Sequence, residues 1–246
     1  MNPRVPCGKR FCMSIPENIA DLQAKLEQSA KRARRNSSEI TLIAVTKTHP
    51  PERIREAYNA GLRLFGENRV QEFSSKAMAL SDLPGAEWHM IGHLQSNKAA
   101  KAAEFFGAID SVDSLKLAEK LNTAAQSLNK VLEVLIEVNV GGEAAKSGVA
   151  PDSSELENLL TSAPRLEALK FRGLMTVPPH TEDPQGARPY FHQFRTLRDQ
   201  IAARNLPAIS MEILSMGMSH DFEVAIEEGS TCIRIGTAIF GERPTK

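Results

Sequence analysis

The sequence has no long hydrophobic run, few cysteines and no net charge. No stretch of about 18 apolar residues occurs in the 246 residues, so we predict no membrane-spanning helix. Thirty basic residues balance thirty acidic ones, which argues against a nucleic-acid or membrane-surface partner, since such proteins usually carry a basic footprint. Three cysteines form no disulfide framework in a chain of this length. We therefore expect a reduced, cytoplasmic protein.

The N-terminal segment carries basic residues but no apolar run, so it is not a secretory signal. We interpret residues 1–14 as a disordered basic tail and residues 15–246 as one domain, which opens with a helix near Pro16. No repeat, low-complexity segment or Pro/Gly linker divides the rest of the chain.

Few residues have the spacing of metal ligands. Cys7 and Cys12 lack the spacing of a zinc knuckle, and no partner pair follows them. His89 and His93 lie on either side of a predicted strand end, and no third ligand accompanies them. We predict no metal site.

Eight apolar runs alternate with helical patterns along the chain. The predicted strands cover residues 40–47, 62–65, 87–91, 108–112, 131–140, 171–177, 212–215 and 232–235. Continuous apolar runs are typical of parallel strands that are buried on both faces. An open doubly wound sheet would begin with a glycine-rich turn after its first strand, and none is present. We therefore predict an α/β fold, a single-domain TIM (β/α)8 barrel with an extra N-terminal helix.

Small and hydroxylated residues follow the last two predicted strands. Ser219 precedes a helix that starts near Asp221, and Gly236 and Thr237 follow strand 8. Barrels of this type often bind phosphate in these two loops, on backbone N–H groups at a helix N-terminus. The alternatives are that Ser219 is only a helix N-cap and that Gly236 is only a tight turn.

Lys47 closes the first barrel strand and would point into the mouth of the barrel. Partial desolvation lowers the pKa of a lysine, and its free amine can form a Schiff base with a carbonyl. The alternative is a solvated lysine at a strand end. A phosphate site opposite such a lysine suits pyridoxal phosphate (PLP), and it equally suits the substrate of a sugar-phosphate aldolase.

Arg234 separates these two possibilities. Alternation along strand 8 places Arg234 and Gly236 on the same side. A guanidinium there would donate to an unprotonated pyridine nitrogen, which weakens the electron sink of PLP. The alternative is a salt bridge to a glutamate on a neighbouring strand.

Several segments, taken together, resemble a known family. They are TLIAVTKTHP (41–50), FGENRVQE (65–72), EWHMIGHLQSNK (87–98), VLIEVNVGGEAAKSG (134–148), RGLMTVPP (172–179), LSMGMSHDFEVAI (214–226) and RIGTAIFG (234–241). In this order they resemble the YggS/PROSC family of pyridoxal phosphate homeostasis proteins, over nearly the whole chain from about residue 14. The resemblance implies a barrel similar to the N-terminal domain of alanine racemase.

The resemblance also implies a set of cofactor-binding residues. It implies that Lys47 holds PLP covalently, that Asn68 lies beside the cofactor ring and that Met175 lines the pocket. Arg234 matches the arginine that faces the pyridine nitrogen. The residues that match the phosphate-side motifs are Ser215, Met218, Ser219, Gly236 and Thr237.

The resemblance further implies a PLP-binding protein without robust catalytic activity. Racemases of this fold use a second, β-rich domain and a catalytic tyrosine, and we expect that domain to be missing after strand 8. Tyr58 and Tyr190 fall in predicted helices, so one of the two bases that racemisation needs is absent. An amino-acid racemase is the alternative. The expected partners are PLP and PLP-dependent apoenzymes as recipients, and the expected state is a monomer.

Overall fold

Eight parallel strands close into a barrel in the computed structural model, which describes residues 13–143 and 146–242. Each strand pairs with the next one along the chain, and the last pairs with the first. The strands are β1 (Thr41–Val45), β2 (Leu64–Glu67), β3 (Glu87–Met90), β4 (Ala108–Val112), β5 (Leu132–Glu137), β6 (Leu169–Met175), β7 (Ile209–Ser215) and β8 (Cys232–Ile235). The predicted single-domain TIM barrel is confirmed.

An α-helix follows every strand, and one more precedes the barrel. Within the described ranges the helices are α1 (Ile15–Arg32), α2 (Pro51–Asn59), α3 (Val70–Lys76), α4 (Ala99–Phe105), α5 (Leu115–Ser127), α6 (Ser154–Ser162), α7 (Arg188–Ala203), α8 (Phe222–Glu227) and α9 (Thr237–Phe240). In the described part of the chain no helix is both long and apolar enough to cross a lipid bilayer.

The main apolar core lies between the strands and the surrounding helices. Phe65 on β2 stacks on Trp88 of β3 with ring centroids 5.0 Å apart, and Phe73 of α3 packs against the same indole at 4.6 Å. Phe65 is fully buried. Burial of such a side chain contributes roughly 1.5–3 kcal/mol. The helices cover the outer face of the strands and the closed barrel encloses the inner face, so both faces are buried and the strands contain few exposed polar residues.

The inside of the barrel is more polar than this outer core. A cavity of about 270 Å³ near the N-terminal ends of the strands is lined by Leu135 of β5 and Cys232 of β8, so both side chains face inward. Residues two apart on a strand share a face. Glu137 and Arg234 therefore also face the interior, one step closer to the C-terminal mouth.

Helix α1 begins with a capping box. The Ser14 hydroxyl accepts the Glu17 N–H, and the Glu17 carboxylate accepts the Ser14 N–H at 2.7 Å. The apolar face of α1 packs against α8 and α9, and Arg32 forms ion pairs with Glu223 and Glu227 at 2.8 Å each. These contacts fix the extra N-terminal helix to the last two helices of the barrel.

The predicted tail lies almost wholly outside the described residues. Of residues 1–14, the structure describes only Met13 and Ser14, and Ser14 caps α1. Cys7 and Cys12 are also outside the described part of the chain.

Candidate functional site

Lys47 lies at the mouth of the barrel between the ends of two neighbouring strands. On one side Val45 pairs with Gly66, so Asn68, two residues further, stands level with Lys47. On the other side the position of a Cβ on Gly236 is 3.5 Å from the Val45 side chain, so strand β8 ends beside this segment. Lys47 is half-buried.

The segment that carries Asn68 is held by close backbone packing. A Cβ on Gly92 would lie 2.5 Å from the carbonyl oxygen of Asn68, so only glycine allows the loop after β3 to approach this closely. Asn68 itself is half-buried. The two loops therefore form one wall of the mouth next to Lys47.

Arg234 crosses the interior of the barrel. Its guanidinium donates to the Ser215 hydroxyl at 2.6 Å and to the Thr176 carbonyl at 2.7 Å, and the residue is only 4% exposed. Burial lowers its pKa, and the surrounding negative charges oppose this. No ion pair between described residues involves Arg234, so the predicted alternative of a salt bridge to a neighbouring glutamate is wrong. Two bonds instead fix the plane of the guanidinium.

Ser219 joins the loops that follow β7 and β8. Its hydroxyl oxygen accepts the N–H of Gly236 at 3.3 Å and the N–H of Ala238 at 3.2 Å. Asp221, the residue immediately before α8, accepts the Met218 N–H at 2.6 Å. The alternative that Ser219 only caps α8 is therefore wrong, because the hydroxyl spans two strands' loops instead.

The remaining site residues surround these two centres. Met175 and Ser215 are directly paired on β6 and β7, and both are fully buried. Met218 is half-buried in the loop after β7, and Thr237 is exposed at the first position of α9. The phosphate-side motif thus divides: Ser215 contacts Arg234 inside the barrel, while Met218, Ser219, Gly236 and Thr237 lie at the rim.

The histidines singled out in the sequence pair with carboxylates. His89 contacts Asp110 and His93 contacts Asp113, each at 3.1 Å. Burial opposes the charged form of His89, but the Asp110 carboxylate more than offsets this, so the pKa of His89 is raised. Within residues 13–143 and 146–242 no group of three metal-ligating side chains comes together.

Glu137 is a site residue to which sequence reasoning gave no role. It is 7% exposed at the mouth end of β5, and its Oε2 atom has no hydrogen-bond partner among the described residues. Burial, aided by Asp113 and opposed by Arg234, raises the pKa of Glu137 to about 7. The available signal was its position two residues beyond Leu135, at the end of a strand whose preceding residues are apolar except for Glu133.

The geometry therefore combines three chemical functions at one end of the barrel. Lys47 supplies an amine, Arg234 supplies an immobilised guanidinium, and the loops joined by Ser219 supply hydroxyl and backbone donors. Such a set fits a ligand that has an aldehyde, an aromatic acceptor and a phosphate. These are the groups of PLP.

The fold and the site define the class of protein. Residues 19–244 match the family described as alanine racemase, N-terminal domain. The chain belongs to this family.

Closer relatives narrow the assignment. The chain is 46% identical over 231 residues to the pyridoxal phosphate homeostasis protein of Aquifex aeolicus, covering 94% of this chain and 99% of that protein. It is 44% identical over 231 residues to the protein of the same name from Pseudomonas aeruginosa, covering 94% and 96%. The solved structure of PipY from Synechococcus elongatus, with PLP bound, is 40% identical with a TM-score of 0.81, covering 93% and 100%. Within the larger class, the chain belongs to the pyridoxal phosphate homeostasis proteins, as the resemblance predicted.

Proposed function

We propose that this protein binds PLP as a Schiff base on Lys47 and serves cytoplasmic PLP homeostasis without robust catalysis. The observation that carries the proposal is the Ser219 bridge: it brings the loops after β7 and β8 together beside the strand end that leads to Lys47. The PLP found in PipY supports the same cofactor.

Each residue of the site would have a defined part in binding. The rim group of Met218, Ser219, Gly236 and Thr237 would hold the phosphate. Arg234 would donate to the pyridine nitrogen, and Ser215 would act through Arg234 by accepting one of its N–H groups. Asn68 and Met175 would line the ring. When bound, the cofactor supplies an electrophilic aldehyde and a conjugated ring, and a neutral pyridine makes that ring a poorer electron sink.

The placement of the tyrosines supports a binding protein over a racemase. Tyr58 lies in α2 and donates to the carbonyl of Pro84, and Tyr190 lies in α7. Both belong to the outer ring of helices rather than to the strand ends, and racemisation needs a base on each face of the substrate carbon. The test of the alternative is incubation with L-alanine and L-serine followed by chiral chromatography. Robust turnover that disappears in Lys47→Ala would overturn the proposed non-catalytic role.

The covalent bond is tested by absorption and by chemical trapping. We expect the PLP-loaded protein to show a visible imine band, and borohydride followed by peptide mapping to label Lys47. Lys47→Ala should lose this band and retain some PLP through the phosphate loops, since charge-assisted hydrogen bonds contribute roughly 1.5–3 kcal/mol each. Lys120→Ala, an exposed lysine on α5, is the matched control. An unchanged visible spectrum in Lys47→Ala would refute the assignment. A colourless protein that borohydride labels only with a sugar phosphate would instead indicate an aldolase.

If the protein passes PLP on to other proteins, those proteins must accept the cofactor from it. We propose that PLP-dependent apoenzymes accept the cofactor and that the protein is a monomer. Mixing the loaded protein with an excess of an apoenzyme, and following that enzyme's activity against an equal concentration of free PLP, tests the first point. Light scattering of the eluted protein tests the second.

A further inference from the structure

An ammonium group is buried directly beneath the turn that carries Lys47. The side chain of Lys76, on α3, is only 6% exposed, and lysine is almost never buried unless it is paired. Its Nζ atom donates to the Thr46 carbonyl at 3.0 Å and to the His49 carbonyl at 3.3 Å. These two carbonyls lie on either side of Lys47 in the sequence, so one side chain holds both ends of the turn.

A buried carboxylate balances this charge. Glu67, at the end of β2, is fully buried, and its Oε1 lies 2.8 Å from the Lys76 ammonium. The same oxygen accepts the Thr46 hydroxyl at 2.5 Å. Burial raises the pKa of Glu67, and the nearby ammonium opposes that rise. The pair therefore contacts the Lys47 segment three times, at two backbone carbonyls and at one side-chain hydroxyl.

A second carboxylate holds the middle of the turn. Glu72 accepts the backbone N–H of Thr48 at 2.5 Å and lies 3.1 Å from the Lys76 ammonium. Thr48 has φ 66°, a left-handed conformation that is unusual for a β-branched residue. Such a conformation persists where its surroundings over-determine it, and it occurs often at functional sites.

We infer that Lys76 is a positioning residue for Lys47: it fixes the turn of residues 46–49 so that the Lys47 amine faces the mouth of the barrel. This inference rests on the proposed Schiff base at Lys47. The lysine side chain is long and has many rotamers, so a fixed Cα position reduces the number of orientations that the amine must search before it reaches an aldehyde. A displacement of about 1 Å at a reacting group can lower a rate by roughly a hundredfold.

The test compares Lys76→Met with Lys130→Met. Lys130 is a partly buried lysine that donates to the Phe106 carbonyl at 3.0 Å, near the opposite end of the barrel. At saturating PLP we expect the rate constant of imine formation to fall roughly tenfold or more in Lys76→Met and to stay unchanged in Lys130→Met. In the cofactor-free protein we also expect faster hydrogen exchange at the amides of Thr46, Thr48 and His49 in the first variant only. A purely structural role would lower the melting temperature without moving these two measurements.

Glu72→Ala keeps the inference testable if Lys76→Met does not fold. Glu72 is partly exposed, and its removal releases the Thr48 N–H while the pair of Lys76 and Glu67 remains. We expect a smaller fall in the rate constant and faster exchange at Thr48. The positioning role would be overturned by one result: borohydride labels Lys47 in the wild type, yet neither the rate constant of imine formation nor the amide exchange changes in the variants that fold. If borohydride instead labels a residue other than Lys47 in the wild type, the proposed function is refuted. The hydrogen exchange of the amides of residues 46–49 would still decide whether Lys76 fixes the turn.

Discussion

Replacing Glu137 with glutamine removes a carboxyl group that the barrel holds almost completely out of water. The residue is 7% exposed, and in the described part of the chain its Oε2 accepts no hydrogen bond. Glutamine has nearly the same size as glutamate and does not ionise, so it stays neutral at any pH at which the unfolding of the protein is measured. The substitution therefore isolates the free energy of placing a negative charge at this position.

The sign and size of the change in stability follow from the linkage between protonation of Glu137 and folding. Burial, with a further contribution from Asp113, raises the pKa of Glu137 from 4.5 to about 7. Because the folded protein binds this proton more tightly than the unfolded chain, the free energy of unfolding decreases as the pH rises from 4.5 to 7. The full cost of ionisation is about 3 kcal/mol, and about 2 kcal/mol of it develops between pH 5.5 and pH 8.

We therefore expect the stability of Glu137→Gln relative to the wild type to rise by about 2 kcal/mol between pH 5.5 and pH 8. The measurement is urea unfolding of both cofactor-free proteins at the two pH values. Glu167→Gln, at an exposed glutamate, is the control and should give the same difference at both. If Glu137→Gln also differs from the wild type by the same amount at both, the carboxyl ionises normally and the argument from burial is wrong.

Three further outcomes test other parts of the structure. Ser219→Ala should weaken PLP binding about tenfold in an equilibrium titration, with little change in melting temperature, because it removes the hydroxyl that joins the two rim loops; unchanged affinity would contradict this. Gly173→Ala should cost about 3 kcal/mol or more in urea unfolding, because its Cβ would fall on the backbone of β7, whereas Gly107→Ala has open space and should be tolerated. His89 should titrate above about 6.5 in proton NMR, because the Asp110 carboxylate raises its pKa. The ion pair then stabilises the folded protein at low pH, and this stabilisation is lost as the pH rises through the pKa of His89. A pKa at or below 6.5 would contradict the ion pair.

Most strands were predictable because burial on both faces leaves a run of mainly apolar residues. β4 was predicted at residues 108–112 and occurs there, although it also contains the buried polar residues Asp110 and Ser111. The errors lie at strand ends. β7 begins at Ile209 rather than at residue 212, because its first residues are only partly buried and carry no continuous apolar signal. β6 ends at Met175 rather than at residue 177, where Val177 is already exposed.

The site was partly predictable for a related reason. Lys47, Ser219 and Gly236 follow strands, Arg234 lies near the end of β8, and a barrel places all these strand ends on one rim. Sequence reasoning could not show that the Ser219 hydroxyl binds the loop after β8, because the partners are 17 and 19 residues away.

The role of Lys76 was missed because an ion pair between a helix residue and a residue of the preceding strand leaves no recognisable pattern in the sequence. The available signal was a lysine in the buried register of α3, three residues after Phe73, which is itself three residues after Val70. A charged residue at such a position requires a buried partner, and that partner is Glu67 at the end of the preceding strand, which is further away along the chain than the partly exposed Glu72. Neither residue reveals the other without the fold.

The closure of the barrel by its first and last elements has a consequence for biosynthesis. The amine of Lys47 leaves the ribosome about 170 residues before Ser219, a delay of roughly 10 to 30 seconds at ordinary rates of translation. During that interval the loops after β7 and β8 do not exist, and α1 has neither α8 nor α9 to pack on. On the proposed function, a nascent chain would carry Lys47 before the loops joined by Ser219 exist, and we expect stable PLP binding only after β8 has been synthesised.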